Sequence, residues 1–192
     1  MSTGTHQDTR KAQANGSATV VGKAFPAPSR LSTKTDLASQ EVLAVSEALN
    51  PLVADLFALY LKTKNFHWHL SGPHFRDYHL LFDEQGDQIF AATDQLAERV
   101  RRIGATTIRS IAHISQLQTI ADDNQDFVPA REMAQRLMDD NGALARNMRA
   151  AHEICDRSRD YATASILEIL IDEAERRTWF LFEIVQAGDN AR

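Results

Sequence analysis

The chain is predicted to be all-α, a bundle of four long helices with a short extra helix in the connection between the second and third. Apolar residues recur at three- and four-residue spacing through most of its length, no stretch alternates apolar with polar as a half-buried strand would, and no segment repeats another. The interruptions between the periodic stretches are few, and each carries the turn chemistry that ends a helix. With 192 residues, 43% of them apolar and 24% charged, and only five prolines, the chain suits one domain with a sizeable core.

The first long helix is expected from about Thr35 or Leu37 to Phe66, with a kink near Asn50-Pro51, where Asn suits a cap and Pro a first-turn position. Its residues Val53, Leu56, Phe57, Tyr60 and Leu61 keep the helical spacing and are expected to face the core. Ser71-Gly72-Pro73 breaks the chain before a second helix over about Phe75 to Gly104. Gly86 inside that helix costs about 1 kcal/mol relative to alanine and leaves room for a close approach. Thr107 to Leu117 is expected to form the short crossover helix. A polar run from Ala121 to Asp126 then leads to Val128-Pro129, the start of a third long helix that ends near Asp156. The fourth runs from about Tyr161 to Ala187, closed by Gly188, with Ile166, Leu167, Leu170 and Ile171 as a core stripe and Trp179 as an anchor for packing or subunit contact. The bundle so drawn occupies residues 35–188 and leaves 189–192 as a short C-terminal tail.

Residues 1–34 are expected to be a mobile basic tail, rich in Ser, Thr, Gly, Ala and Pro and without an apolar period. Within the first 36 residues Arg10, Lys11, Lys23, Arg30 and Lys34 stand against Asp8 and Asp36, a net of +3, so the remainder of a chain of net charge −5 carries −8. Such a tail can touch DNA phosphates without base specificity. The attraction is weak for one tail but adds up across many tails on one particle, and the acidic body opposes it. The lone Cys155 excludes an intramolecular disulfide and suits a reducing compartment. No apolar run is expected to approach the ~20 residues that span a bilayer, and the first residues lack a signal-peptide layout. The expectation is a soluble, cytoplasmic protein with no membrane partner.

The candidate chemistry lies where four of the seven histidines, His67, His69, His74 and His79, precede a carboxylate-rich helix. At about 100° per residue, with His79 at 0°, Asp83 falls near 40°, Asp94 near 60° and Glu98 near 100°, so all four share one stripe. Yet the fifteen steps from His79 to Asp94 span roughly 22 Å, far beyond a coordination sphere with ligands at about 2 Å. Two copies of the helix packed antiparallel about a two-fold axis would bring the His79/Asp83 end of one beside the Asp94/Glu98 end of the other and create two equal sites. Mixed imidazole and carboxylate donors suit iron, manganese or zinc, and iron is the expected metal. Any single acid or histidine pair one turn apart is ordinary helix surface. The metal reading rests on the joint pattern of His67 at a helix end with His79/Asp83 and Asp94/Glu98.

These residues resemble the Dps family, the DNA-binding proteins from starved cells, which form miniature ferritin-like iron-storage shells. Lys62 to His69 is similar to the end of the family's first helix, Asp77 to Glu84 to the start of its second, Asp94 to Arg99 to its second carboxylate pair, and Glu173 to Leu181 to its final helix; the likeness covers about residues 40–187. The resemblance implies His67, His79 and Asp83 as ligands from one subunit and Asp94 and Glu98 from its neighbour, in a shell of twelve subunits. It leaves His69 and His74 outside the ligand set. The extra crossover helix is compatible with a ferritin-like bundle. Ferritins and di-iron oxygenases with a site inside one bundle use a Glu-x-x-His pattern, and no Glu-x-x-His occurs in this chain.

The implied function is ferroxidation. Fe(II) binds between subunits, hydrogen peroxide accepts its electrons, and Fe(III) is mineralised as oxide inside the shell, protecting DNA from oxidative damage. Carboxylates favour Fe(III), and neutral imidazoles can hold Fe(II). Trp68, beside His67, is expected to be a core aromatic, with interception of oxidising radicals as the alternative. At the turn between the third and fourth long helices, where the family places acids that line an iron pore, the match weakens, and Asp156, Asp160 and Glu168 are the candidates. The alternative function is nucleoid DNA packaging through the basic tail, with a structural or vestigial metal site. A purely structural bundle is the third reading.

Overall fold

The computed structural model describes Met1 and residues 27–186. Five α-helices follow a short 3-10 turn at Ser29–Leu31: α1 (Ser39–His69), α2 (Phe75–Arg102), α3 (Ile111–Leu117), α4 (Ala130–Arg157) and α5 (Tyr161–Gln186), with no strand among the described residues. The helix spacing read from the sequence is thus realised as four long helices and one short one. Ala187, Gly188, the 189–192 tail and the basic residues Arg10, Lys11 and Lys23 lie outside the described residues.

Local chemistry explains each boundary. Glu41 Oε2 accepts the Ala38 N–H at 2.7 Å and so closes the first turn of α1. Before α2 the chain turns through Gly72 (φ +102°) and His74 (φ +62°), and the His74 carbonyl accepts from the N–H groups of Asp77 and Tyr78, both at 3.1 Å. His74 is therefore the residue from which α2 starts. The Ser110 hydroxyl accepts from His113 N–H at 3.2 Å and caps α3. Pro129 precedes α4, and Asp160 caps α5 by accepting the Thr163 N–H at 3.1 Å.

α1 packs against α2, α3 and α4, and α4 against α5. Leu49, Leu56, Leu59 and Phe66 of α1 meet Phe82, Ile89 and Leu96 of α2 and Leu137, Leu144 and Met148 of α4 in one continuous core. The crossover is tied down by a buried carboxylate. Asp55 of α1 accepts from the backbone N–H groups of Thr119 and Ile120 and, at 2.8 Å, from the Thr119 hydroxyl.

Several expectations change. α1 runs unbroken through Pro51, and Asn50 does not cap a helix start. It is buried and its Nδ2 donates to the Thr106 carbonyl at 3.1 Å. Of the expected core residues, Val53 and Leu56 are fully buried, Phe57 and Tyr60 pack on the core's edge, and Leu61 is 58% exposed. In α5, Leu167 and Leu170 are buried while Ile166 and Ile171 pack against the core's edge. Trp68 is no core aromatic at 60% exposure, since a step of about 100° from buried His67 carries it to the outer face. α1 is also long and apolar enough, by length and composition, to cross a membrane, contrary to expectation, but 56% of that window is buried against the bundle, as suits a central helix.

Candidate metal centre

Three of the five candidate ligands meet where α1 ends and α2 begins. His67 is in the last turn of α1 on its buried face, and His79 is in the second turn of α2. The imidazoles stack with centroids 3.7 Å apart and planes 19° from parallel, and Phe75 stacks on His79 at 5.0 Å. His67 Nδ1 donates to the His79 carbonyl at 2.8 Å, and His79 Nδ1 donates to the His67 carbonyl at 3.0 Å. A carbonyl can only accept, so each ring carries a proton on Nδ1, and the neutral ring has its lone pair on Nε2. Orienting hydrogen bonds of this kind commonly fix a metal-binding histidine.

Asp83, one turn beyond His79, places Oδ1 3.7 Å from His67 Nε2. The same Oδ1 accepts from Lys64 Nζ. The Lys64 ammonium, through its hydrogen bond and then its charge, holds the Asp83 carboxyl below the usual aspartate range, and Asp83 raises Lys64 in return. The stem of Lys64 crosses Gly86, where an added Cβ would lie 3.0 Å from Lys64 Cδ. Sequence reasoning did not single out Lys64, although its spacing of three from His67, matched by three between Asp83 and Gly86, puts both pairs on facing stripes.

Asp94 and Glu98 are not brought to this trio. They lie eleven and fifteen residues beyond Asp83 on the same straight helix, roughly 16 and 22 Å along its axis. Both are exposed, and Glu98 pairs with Arg102 one turn on. Among the described residues no group of three or more His, Cys, Asp or Glu side chains closes a metal site within one chain. Within one chain the stacked rings and Asp83 therefore stand apart from Asp94 and Glu98.

The candidate pore acids fare unequally. Asp160 is only 3% exposed, accepts from Arg99 and is bonded to Thr163 on both its oxygens, so it builds the α4–α5 turn and cannot line a pore. Asp156 and Glu168 flank His152, at 3.4 Å from Nδ1 and 3.1 Å from Nε2. Inside the bundle α5 contributes Arg177, whose Nε donates to Asn141 Oδ1 at 2.8 Å and whose carbonyl accepts from Gln85 at 3.5 Å. Burial pushes Arg177 down to about 10. Burial likewise pushes the Cys155 thiol up to about 12.

Residues 46–190 match the model of the ferritin-like domain. The chain is 34% identical over 154 residues to an uncharacterized low temperature-induced protein of Nostoc, covering 78% of this chain and 84% of that one. It is 32% identical over 142 residues to the DNA protection during starvation protein of Brevibacillus brevis, covering 74% of this chain and 93% of that one. Among solved structures, a Dps protein from Vibrio cholerae O1, described as a member of a broad superfamily of ferritin-like diiron-carboxylate proteins, superposes with a TM-score of 0.74 at 25% identity over 79% of this chain and 96% of that one.

Proposed function

Because the chain belongs to the Dps family of ferritin-like proteins, we propose that it oxidises Fe(II) with hydrogen peroxide at centres shared between two subunits. Fe(III) is stored as oxide within a hollow homo-oligomeric shell of twelve chains, and DNA is protected because iron and peroxide are removed together. The observation that carries this reading is the pair of oriented histidines beside Asp83, with matching carboxylates far along the same helix. Iron is the substrate. His67 and His79 offer neutral Nε2 donors suited to Fe(II), while Asp83 and the neighbour's Asp94 and Glu98 supply the anionic oxygen that favours Fe(III) as it forms. Each Fe(II) gives one electron and peroxide takes two, its O–O bond breaking to leave two hydroxides. The polar interior of one bundle holds Arg177, Asn141 and Gln85, a cation and two amides, which do not suit an intrasubunit iron pair.

Anaerobic loading with Fe(II), then stoichiometric peroxide, tests the proposal when Fe(III) absorbance and particle size are followed together. Rapid oxidation within a large soluble particle is expected, and Asp94→Ala/Glu98→Ala should lose fast oxidation while the particle persists. Precipitation at the protein-free rate would overturn the reading and leave DNA packaging through the basic tail in its place. Deleting residues 1–34 separates the two, since it should leave oxidation intact and remove any tail-dependent DNA retention.

A further inference from the structure

Asp83, the one carboxylate of the trio, already has a cationic partner. Lys64 Nζ bonds the same Oδ1 that His67 Nε2 faces at 3.7 Å. A metal ion about 2 Å from both atoms would occupy the space between them and share that oxygen with the ammonium, a juxtaposition of positive charges that Coulomb repulsion disfavours. The ammonium is not there by chance of a loose surface chain. The Lys64 side chain is only 15% exposed, and its methylenes lie in a slot that exists because residue 86 has no Cβ. A second carboxylate, Asp87, stands one turn beyond Asp83 on α2 and attracts the same ammonium.

We propose that Lys64 sets the metal affinity of this centre: its ammonium occupies Asp83 until a metal ion arrives, then yields that oxygen and turns to Asp87. The inference rests on the shared-centre reading above. Binding at Asp83 is then an exchange of one cation for another. The returning ammonium also competes with Fe(III) for Asp83 and so helps to release product toward the mineral. Lys64 is a positioning residue, acting through Asp83.

The test is equilibrium titration of the intact oligomer with Co(II), read by visible absorption and calorimetry, in wild type and in Lys64→Met, Lys64→Arg and Asp83→Asn. Lys64→Met should bind Co(II) roughly fivefold more tightly, the scale of losing one partly exposed ion pair. Lys64→Arg should restore the weaker affinity, and Asp83→Asn should lose the signal. A gain of affinity is a result that a merely structural lysine would not give. Equal or weaker binding by Lys64→Met, with the signal still dependent on Asp83, would overturn the role of Lys64 alone. Should that variant fail to assemble, Lys64→Gln, which keeps a donor without the charge, is read by the same criterion. If no Co(II) signal depends on Asp83 in any variant, the shared-centre reading fails and the role of Lys64 falls with it.

Discussion

The candidate ligands differ in how far their neighbours were legible from the chain. His79 and Asp83 could be singled out from spacing because a helical period converts sequence distance into angle, whereas His67, on the preceding helix, was singled out by its helix-end position and by family resemblance. Their orientation could not, since it depends on backbone carbonyls exchanged across the α1–α2 turn. Burial is equally a tertiary matter, as Cys155 shows. With its thiol pushed up to about 12, only about one part in ten thousand is thiolate at pH 8, and the thiolate is the reactive form. Native protein should therefore resist maleimide at pH 8 and be alkylated stoichiometrically in denaturant, as mass spectrometry would record; rapid native labelling would contradict the buried position. Asp55 makes a similar case. Asp55→Ala would strip the acceptor from the Thr119 N–H and from the buried Ile120 N–H and should destabilise the fold by about 3 kcal/mol in denaturant titration.

At the scale of elements, long periodic stretches were read correctly because four turns of matching apolar residues outweigh any single breaker. Pro51 is instructive. It removes one hydrogen bond from α1, to the Glu47 carbonyl, yet the helix continues because Leu49, Leu52 and Val53 around it are buried. Conversely, Leu61 and Trp68 follow the apolar pattern but face outward, because the pattern gives the stripe and not what covers it. In α5 the interior cation Arg177 has Asn141 as its side-chain partner and, among the described residues, no carboxylate in hydrogen-bond contact. A guanidinium lowered by burial to about 10 is held charged at neutral pH at a cost of about 3 kcal/mol relative to water. Removing the pair as Arg177→Met/Asn141→Leu should thus leave stability unchanged or raise it by about 1 to 3 kcal/mol, whereas Asn141→Leu alone should lower it. Thermal denaturation of the three proteins side by side decides this, and a large loss in the double variant would show that the guanidinium is worth more than its desolvation.

At the scale of the whole molecule, the geometry of α2 makes a quantitative demand on any assembly. Asp83 and the Asp94/Glu98 pair lie roughly 16 to 22 Å apart along one helix, so a centre that uses all five residues, as proposed above, needs a second chain. The separation was legible in sequence because helix rise is constant, whereas a partner's position is not encoded in one chain's periodicity. Consider a chain carrying Asp83→Asn and another carrying Asp94→Ala/Glu98→Ala, each expected to lack fast iron oxidation when pure. In a two-fold pair of one of each, one centre takes the native trio from the second chain and the native carboxylates from the first, while the other centre collects every defect. Random mixing makes half of all pairs mixed, and each mixed pair has one intact centre of two, so coexpression should recover about a quarter of the wild-type rate per chain. Mixing folded particles without subunit exchange should recover nothing. A centre built within one chain predicts no recovery under either regime, so peroxide-driven oxidation of the coexpressed shell separates the two arrangements by whether any signal returns and by its size.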